Sequence, residues 1–481
     1  MSTNALPTGR LAEEVHIACE GEHWERLVAR LRADAPQEAC TFVLTRPSRG
    51  NRRATVLLGE AIWPEPGEVA ATSQSLEISG DYISRALDRC IDQGPLVGLA
   101  LIHTHPETEF GPGVGIFSAR DDWYECRLFP TLTLGRPDAL FASVVVGSTP
   151  SSVDARVWWK SETLAVQPAT TVRVVSKTLR LIETPHSRWM DHPDPEVVDR
   201  STLMWGVEGR RILQNLRVGV VGGGGTGSIV IVTAAMMGTG KMSAWDADAV
   251  QTTNLNRLLG ANRDDVGKKK IHVLRDFATR VATASPFEFE AIDEIGTSAI
   301  ALKALKDCDV IFSCVDRLAP RVPLNDLAYV HLIPTFDMGS WVHEDEGAGT
   351  VDAFMTHAMV WSPGMPCGRC TQKLSPRALT REAQGAQRGA ERGAGYGMKI
   401  THDVEADPSV LPLNLVGAGL AMLEFMQVVM RLTPKTPRNL SMRMPEWELD
   451  ESDLDALQDC GCINDVALGD TIAIRPVERH Q

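Results

Sequence analysis

Apolar positions along the chain follow one rhythm up to about residue 165 and another from Arg217 onward. Trp24, Leu27, Val28 and Leu31 recur at helical spacing, so residues 23–33 are predicted as an amphipathic helix that Pro36 ends. Segments 39–44, 55–58, 96–103, 141–146 and 155–159 are rich in strand formers. The first domain is therefore read as mixed α and β over residues 20–165, after a tail at 1–19. Prolines and acidic residues crowd 186–196, and 166–196 is read as a linker. Beyond it the order becomes strand, glycine turn, helix, strand, the signature of a parallel sheet with crossover helices. Strands are predicted at 216–221, 242–245, 310–314 and 332–336, in a second domain spanning 197–481. Residues 382–397 carry Gly, Ala, Arg and Gln with little hydrophobic content, and are predicted as a mobile loop. The longest apolar stretch, 411–432, contains Asn414, Glu424 and Gln427, so a buried helix is predicted there and not a membrane span.

Bulk composition narrows the class. A chain of 481 residues is too long for one ordinary core and predicts two to three domains. A formal charge of -14 argues against a dedicated nucleic-acid binder, because phosphate neutralisation needs clustered Lys and Arg. The N-terminus lacks the apolar run of a signal peptide, and ten cysteines without one fit a reducing cytoplasm. Four of these, Cys367, Cys370, Cys460 and Cys462, are paired closely enough to suggest metal.

Two constellations carry chemistry. In the first domain, His103 and His105 alternate along a predicted strand, so both side chains fall on one face and can hold one metal ion. Ser118 and Asp121 stand three apart at a predicted helix start, which brings the carboxylate near its serine. Two imidazoles and a carboxylate leave a fourth zinc position open for water, as catalysis requires. Glu38, just before a strand, is placed to move the proton of that water. This set resembles the JAMM (MPN-plus) metalloprotease family over roughly residues 20–165. The resemblance implies a cytidine-deaminase-like α/β fold, with Glu38 as acid/base, His103, His105 and Asp121 as zinc ligands, and Ser118 as oxyanion donor. The segment between Pro106 and Phe117 is longer than in the compact family motif, and Gly111 to Gly115 is read as a loop extension over the site. An inactive copy of the fold is the competing reading.

In the second domain, Gly222, Gly224, Gly225 and Gly227 follow a strand and open a helix, which lets backbone amides approach phosphate. Nicotinamide enzymes use the same turn, and Asp246 at the next strand end suits a ribose in either case. Asp246-Ala-Asp248, Asn254-Leu-Asn256-Arg257, the lysine run ending at Lys270, and Cys314-Val-Asp316 with Arg321 together resemble the ThiF/MoeB and ubiquitin-activating-enzyme adenylation fold over about residues 197–440. That resemblance implies a Rossmann-like, mostly parallel sheet binding ATP and Mg2+. Asp246 would hold the ribose, Arg257 and Lys270 the triphosphate, and Asp316 the magnesium ion. Asp248, Asn254 and Asn256 would organise the same pocket, and Arg200 matches an upstream arginine that in this family can reach the partner subunit's ATP. The four paired cysteines match the family's structural zinc knuckle, although the distal pair is Cys-x-Cys where the family usually has Cys-x-x-Cys.

No cysteine lies between Cys370 and Cys460, where a thioester-forming nucleophile is commonly carried. The glycine-rich loop is therefore read as a cover for a threaded C-terminal tail, and Cys314 as a packed thiol. Together these readings predict a bifunctional protein that trims or deconjugates a ubiquitin-like protein and adenylates its C-terminal carboxylate. Such fusions resemble components of bacterial ubiquitin-like conjugation systems, some linked to phage defence. A homodimer and possible traffic with a conjugating enzyme are implied by the family. A sulfur-carrier pathway ending in a thiocarboxylate, and a non-catalytic scaffold for ubiquitin-like proteins, remain the alternatives.

Overall fold

The computed structural model describes residues 6–478 except 74, 108–110, 192–193, 195, 346–349, 385–408 and 453. Most of the predicted glycine-rich loop thus lies outside the described residues. The chain divides into two compact units, the first made of Met1–Arg188 with Val330–Leu332 and Asp465–Ala473, the second of the remainder.

The first unit is built on a nine-stranded sheet. In chain order its strands are β1 (Glu14–Glu20), β2 (Cys40–Arg49), β3 (Arg53–Ile62), β6 (Gly98–Thr104), β7 (Phe141–Val146), β8 (Val153–Lys160), β9 (Leu164–Pro168), β10 (Thr171–Val175) and β11 (Leu179–Glu183). They lie side by side as β11-β10-β1-β3-β2-β6-β7-β8-β9, while β4 (Val69–Ala71) and β5 (Leu76–Ile78) form a separate hairpin. Residues 1–19 and 166–196 are thus not simply tail and linker. Alternating apolar residues place β1 in the sheet, and β9 to β11 extend both of its edges.

Period-two alternation splits the core between the two faces of this sheet. Ala100 and Ile102 of β6 pack with Trp24, Leu27, Val28 and Leu31 of helix α1 (Gly21–Arg32). Leu99 and Leu101 pack on the other face with Tyr82 and Ala86 of α2 (Gly80–Asp92) and with Leu128, Phe129 and Leu132 of α3 (Ala119–Leu132). His103, next in the second row, is thereby directed to the face that α3 covers.

In the second unit the sheet order is β14-β13-β12-β15-β16-β17-β18-β19. The strands are β12 (Arg217–Val221), β13 (Lys241–Trp245), β14 (Glu288–Ile292), β15 (Val310–Ser313), β16 (Thr335–Asp345), β17 (Thr350–Trp361), β18 (Asn439–Met444) and β19 (Glu448–Ser452). Strands β14 to β16 run parallel and β17 to β19 antiparallel, giving a mixed sheet. The chain leaves β12 towards β13 on one side and returns as β15 on the other, so strand order reverses between β12 and β15. Ligands of open α/β sheets bind outside the carboxyl ends of strands at such a point. Between β12 and β16 the chain forms the helices α5 (Gly225–Met237), α6 (Lys270–Val281), α7 (Ala299–Leu305) and α8 (Arg321–Val330), and α4 (Asp199–Asn215) precedes β12. The apolar stretch forms the helix Leu411–Met430, long and apolar enough to cross a membrane, with 56% of its most apolar window buried inside the structure. It packs on α4, α5, β16 and β17, so its apolar residues have protein partners. The strand expected from Leu332 begins only at Thr335, because Leu332 itself takes a left-handed conformation with φ of 55°.

Candidate functional sites

The end of β6 and the start of α3 converge on one point in the first unit. Ser118 caps α3 by accepting from the Asp121 amide at 3.2 Å, while Asp121 Oδ2 accepts from the Ser118 amide at 2.6 Å. This capping box holds the carboxylate towards the histidines. His103 Nε2 lies 3.3 Å from Asp121 Oδ1 and His105 Nε2 lies 3.5 Å from Asp121 Oδ2. One ligand atom from each of the three falls within 4.8 Å of the others, a donor set that fits a zinc ion with an open position. His105 Nδ1 lies 3.1 Å from the Val114 carbonyl, which fixes its ring from behind. The loop carrying Val114 can press so closely because Gly113 has no side chain: a Cβ there would stand 1.9 Å from the His105 carbonyl oxygen.

Electrostatics divides the labour among the acids. Burial alone would raise Asp121, but its bonds to His103 and His105 hold it far below the carboxylate range. Burial raises Glu38, with Asp121 adding to the effect, and the pull of His103 and His105 only partly opposes it. Glu38 is thus a half-buried, more basic carboxylate facing the cluster, suited to accept a proton. Ser118 Oγ is exposed and uses a lone pair in the cap, which leaves its proton to donate.

Beneath the cluster lies a buried network that the sequence reading missed. Arg156 donates through Nε to Glu125 Oε2 and through Nη1 to Asp122 Oδ1, both at 2.7 Å. Its guanidinium sits 3.9 Å from the centre of the Phe117 ring. The detectable signal was Glu125, one helical turn after Asp121.

In the second unit, β12 ends at Val221 and Gly222 turns with φ of 97°. A Cβ on Gly227 would stand 1.8 Å from the Gly222 carbonyl oxygen, so this packing of helix on turn requires glycine there. Nothing lies within 4 Å of a Cβ built on Gly224, and α5 starts there with no side-chain cap, leaving room and free amides for phosphate. Asp246 Oδ2 accepts from the Gly223 amide at 2.7 Å and Oδ1 from the Asp248 amide at 2.8 Å. Lys270 Nζ pairs with Asp248 Oδ2 at 2.9 Å. Arg257 Nη1 bonds the Thr253 carbonyl at 2.8 Å and Asn256 Oδ1 at 3.2 Å. Its Cγ and Cδ would lie 3.5 Å from a Cβ on Gly225, so the Arg257 stem flanks the glycine turn. Asn414, noted in the sequence only as a polar break in an apolar stretch, also meets that turn, with Nδ2 2.5 Å from the same position.

Three predicted members are less engaged. The Asn254 side chain accepts from the Gln251 amide at 3.0 Å, closing a single 3-10 turn, and so organises its own loop. Arg200 is exposed on the first turn of α4. Asp316 is exposed in the loop after β15, whose Leu318 and Ala319 amides donate to Glu382 at 2.7 and 3.1 Å. Cys314 Sγ packs 3.9 Å from Met338 Sδ, and burial pushes its thiol well up, as expected of a packed residue. Arg321 donates to the fully buried Asp337 at 2.7 Å, as Lys373 does at 2.9 Å. Burial pushes Lys373 down to about 7.

Cys367, Cys370, Cys460 and Cys462 form a second cluster, fully enclosed. Sulfur separations of 3.4, 3.6 and 3.7 Å approach the edge of about 3.8 Å implied by a tetrahedron with bonds of about 2.3 Å. The short Cys-x-Cys spacing is accommodated because Cys460 immediately precedes the helix Gly461–Asn464 and Cys462 lies inside it. The four thiols therefore fit structural zinc.

Residues 198–462, more than half of the chain, match the model of the ThiF family. The chain belongs to the ThiF family. Within it, the chain is 28% identical over 167 residues to the adenylyltransferase and sulfurtransferase MOCS3 of Caenorhabditis briggsae, covering 34% of this chain and 39% of that protein. It is 30% identical over 177 residues to the molybdopterin-synthase adenylyltransferase of Salmonella typhimurium, covering 36% and 66%. The chain thus spans 39% and 66% of the lengths of these two relatives. Among solved structures, E. coli MccB with succinimide aligns at a TM-score of 0.44 and 18% identity, over 56% of this chain and 74% of that one.

Proposed function

We propose that the second unit adenylates the C-terminal carboxylate of a small sulfur-carrier or ubiquitin-like protein, and that the first is a zinc-dependent JAMM-type peptidase acting on the same protein or its conjugates. The carrying observation is the glycine turn at the β12/β15 reversal with Asp246, Arg257 and Lys270 around it, in a chain of the ThiF family. A carboxylate is a poor electrophile. Joining its oxygen to the α-phosphorus of ATP, with departure of pyrophosphate, makes a mixed anhydride with a good leaving group. Asp246 would receive the ribose hydroxyls, the α5 amides and Arg257 the phosphates, and Lys270, released from Asp248, the charge developing on them. Asp316 would hold the magnesium ion, which supplies charge neutralisation when bound.

Support for the peptidase comes from the convergence of His103, His105 and Asp121, with Glu38 raised beside them. Zinc, when bound, supplies Lewis acidity and a nucleophilic water at neutral pH. Glu38 would carry the proton from water to the leaving amine, and Ser118 would donate to the oxyanion. The decisive experiment incubates the full chain with MgATP and a glycine-terminated carrier, and follows the carrier by intact mass. A carrier adenylate supports the reading, and NAD binding tighter than ATP would sink it. A sulfur-carrier route is favoured over conjugation by the sulfurtransferase named in the MOCS3 relative, and by the lack of cysteine between Cys370 and Cys460. Sulfide-dependent mass gain on the carrier separates the two.

A further inference from the structure

Both histidines of the cluster turn Nε2 towards Asp121, so each must present Nδ1 to something behind it. His105 has the Val114 carbonyl. His103 is 4% exposed, yet neither ring nitrogen has a hydrogen-bond partner, and while Nε2 has Asp121 at 3.3 Å, Nδ1 has nothing. Buried polar atoms are rarely left so, and a ligating imidazole almost always donates its second N–H.

Among the described residues of the first unit, two buried side-chain oxygens are also unpartnered, Thr55 Oγ1 and Glu125 Oε1. Thr55 is on β3, two strands from β6. Glu125 is on α3, one turn beyond Asp121 and on its side of the helix. Its Oε2 is held by Ser143 Oγ at 2.9 Å and by Arg156 Nε at 2.7 Å. Ser143 pairs across the sheet with Leu101, and Arg156 with Ser143, so the carboxylate stands over the Leu101 row. His103 is the next residue on that face of β6, about 7 Å along the strand, a gap that an imidazole or a single water spans. His103 is among the charges that oppose the upward push of burial on Glu125, which agrees with this proximity.

Resting on the metal-centre reading above, we propose that Glu125 is a positioning residue for that centre, its Oε1 taking the Nδ1–H of His103 directly or through one water. Arg156 is the brace that keeps the carboxylate aimed, and its charge opposes the upward push of burial on Glu125. With the anion in place the His103 tautomer is fixed, Nε2 is left as the donor to metal, and its basicity rises. A zinc site without this partner binds metal about 10–100-fold more weakly.

The test uses the full chain stripped of metal and titrated with Zn2+ against a chromophoric chelator, then with Co2+ read by absorption. Thiolate charge-transfer bands report the cysteine cluster and ligand-field bands the histidine cluster, so each molecule carries an internal reference. Glu125→Gln is expected to weaken the histidine site about 10–100-fold and shift its ligand-field bands, leaving the thiolate bands and the melting of the first unit unchanged. If the lone substitution disturbs folding by stranding Arg156, Glu125→Gln with Arg156→Met removes both charges together and carries the same expectation. Wild-type affinity and spectrum at the histidine site in the folded variant would overturn the role of Glu125. Wild-type protein that takes up metal only on its thiolates would overturn the metal-centre reading, and this inference with it.

Discussion

The histidine and cysteine clusters answer the same problem, gathering metal donors, in opposite ways. His103, His105 and Asp121 come from 19 consecutive positions, through one strand end and one helix cap, with His103 buried and His105 and Asp121 partly exposed. The four cysteines come from two pairs about ninety residues apart and are all buried. Three donors at the lip of a sheet leave a position for substrate. Four enclosed thiolates leave none, and tie distant chain segments together. The contrast teaches that local secondary structure suffices to build an open site, whereas a closed one needs the tertiary fold and in return stabilises it.

That contrast can be broken experimentally. Cys460→Ser should cause the largest change. Structural zinc is worth on the order of 10 kcal/mol in small domains. A loss of even about 3 kcal/mol lowers the melting temperature by roughly 6–12 °C. Calorimetry should place this fall in the second unit alone, with loss of one zinc by elemental analysis; retained zinc and an unchanged melt would make the thiols ordinary core residues. Glu38→Gln should do the reverse, keeping both metals and the melting curve while peptide cleavage drops about 10²–10⁴-fold, the usual share of a general acid/base. Because burial raises Glu38, the acidic limb of the cleavage profile should lie at higher pH than for an ordinary carboxylate, activity falling as pH drops through it.

Lys270→Ala tests whether the nucleotide crevice stands apart from both clusters. Adenylate formation should fall about 10²–10³-fold with metal content and cleavage intact, and a parallel loss of cleavage would show the units to be coupled.

The smallest effect concerns Lys373, three residues beyond the first cysteine pair. Its folded value is depressed from 10.5 to about 7, so between those values the unfolded chain binds more protons and stability should rise with pH. Melting temperatures measured across that window should show this slope in the wild type and lose it in Lys373→Met, where Arg321 still neutralises Asp337.

Much of the second unit was legible because glycine spacing, strand ends and charged residues there obey short-range rules. The β12–Gly222–α5 passage and the strands β13 and β15 lie within a residue of their expected positions. The pairing of β1 with β10 was not legible, since the partners lie about 155 residues apart, Thr171 against His16, and β9 and β11, although each pairs with the strand just before it, are only five residues long. No local pattern states such pairings. The roles of Asn414 and Glu125 escaped notice for the same reason, each being one polar residue in a helix whose importance depends on what the helix covers.

By itself the sequence determined the local devices: the Ser-x-x-Asp cap, the alternation that puts His103 and His105 on one face, and the glycines without which α5 could not meet its turn. These follow from periodicity and steric limits acting over a few residues. Only the tertiary structure decided that Ser143 and Arg156 should grip Glu125 behind His103, that Arg321 and Lys373 should share the buried Asp337, and that a Cys-x-Cys pair should close on a Cys-x-x-Cys pair about ninety residues away. Those contacts depend on strand order and helix packing, where burial of apolar faces sets the geometry and polar groups take the partners it leaves within reach.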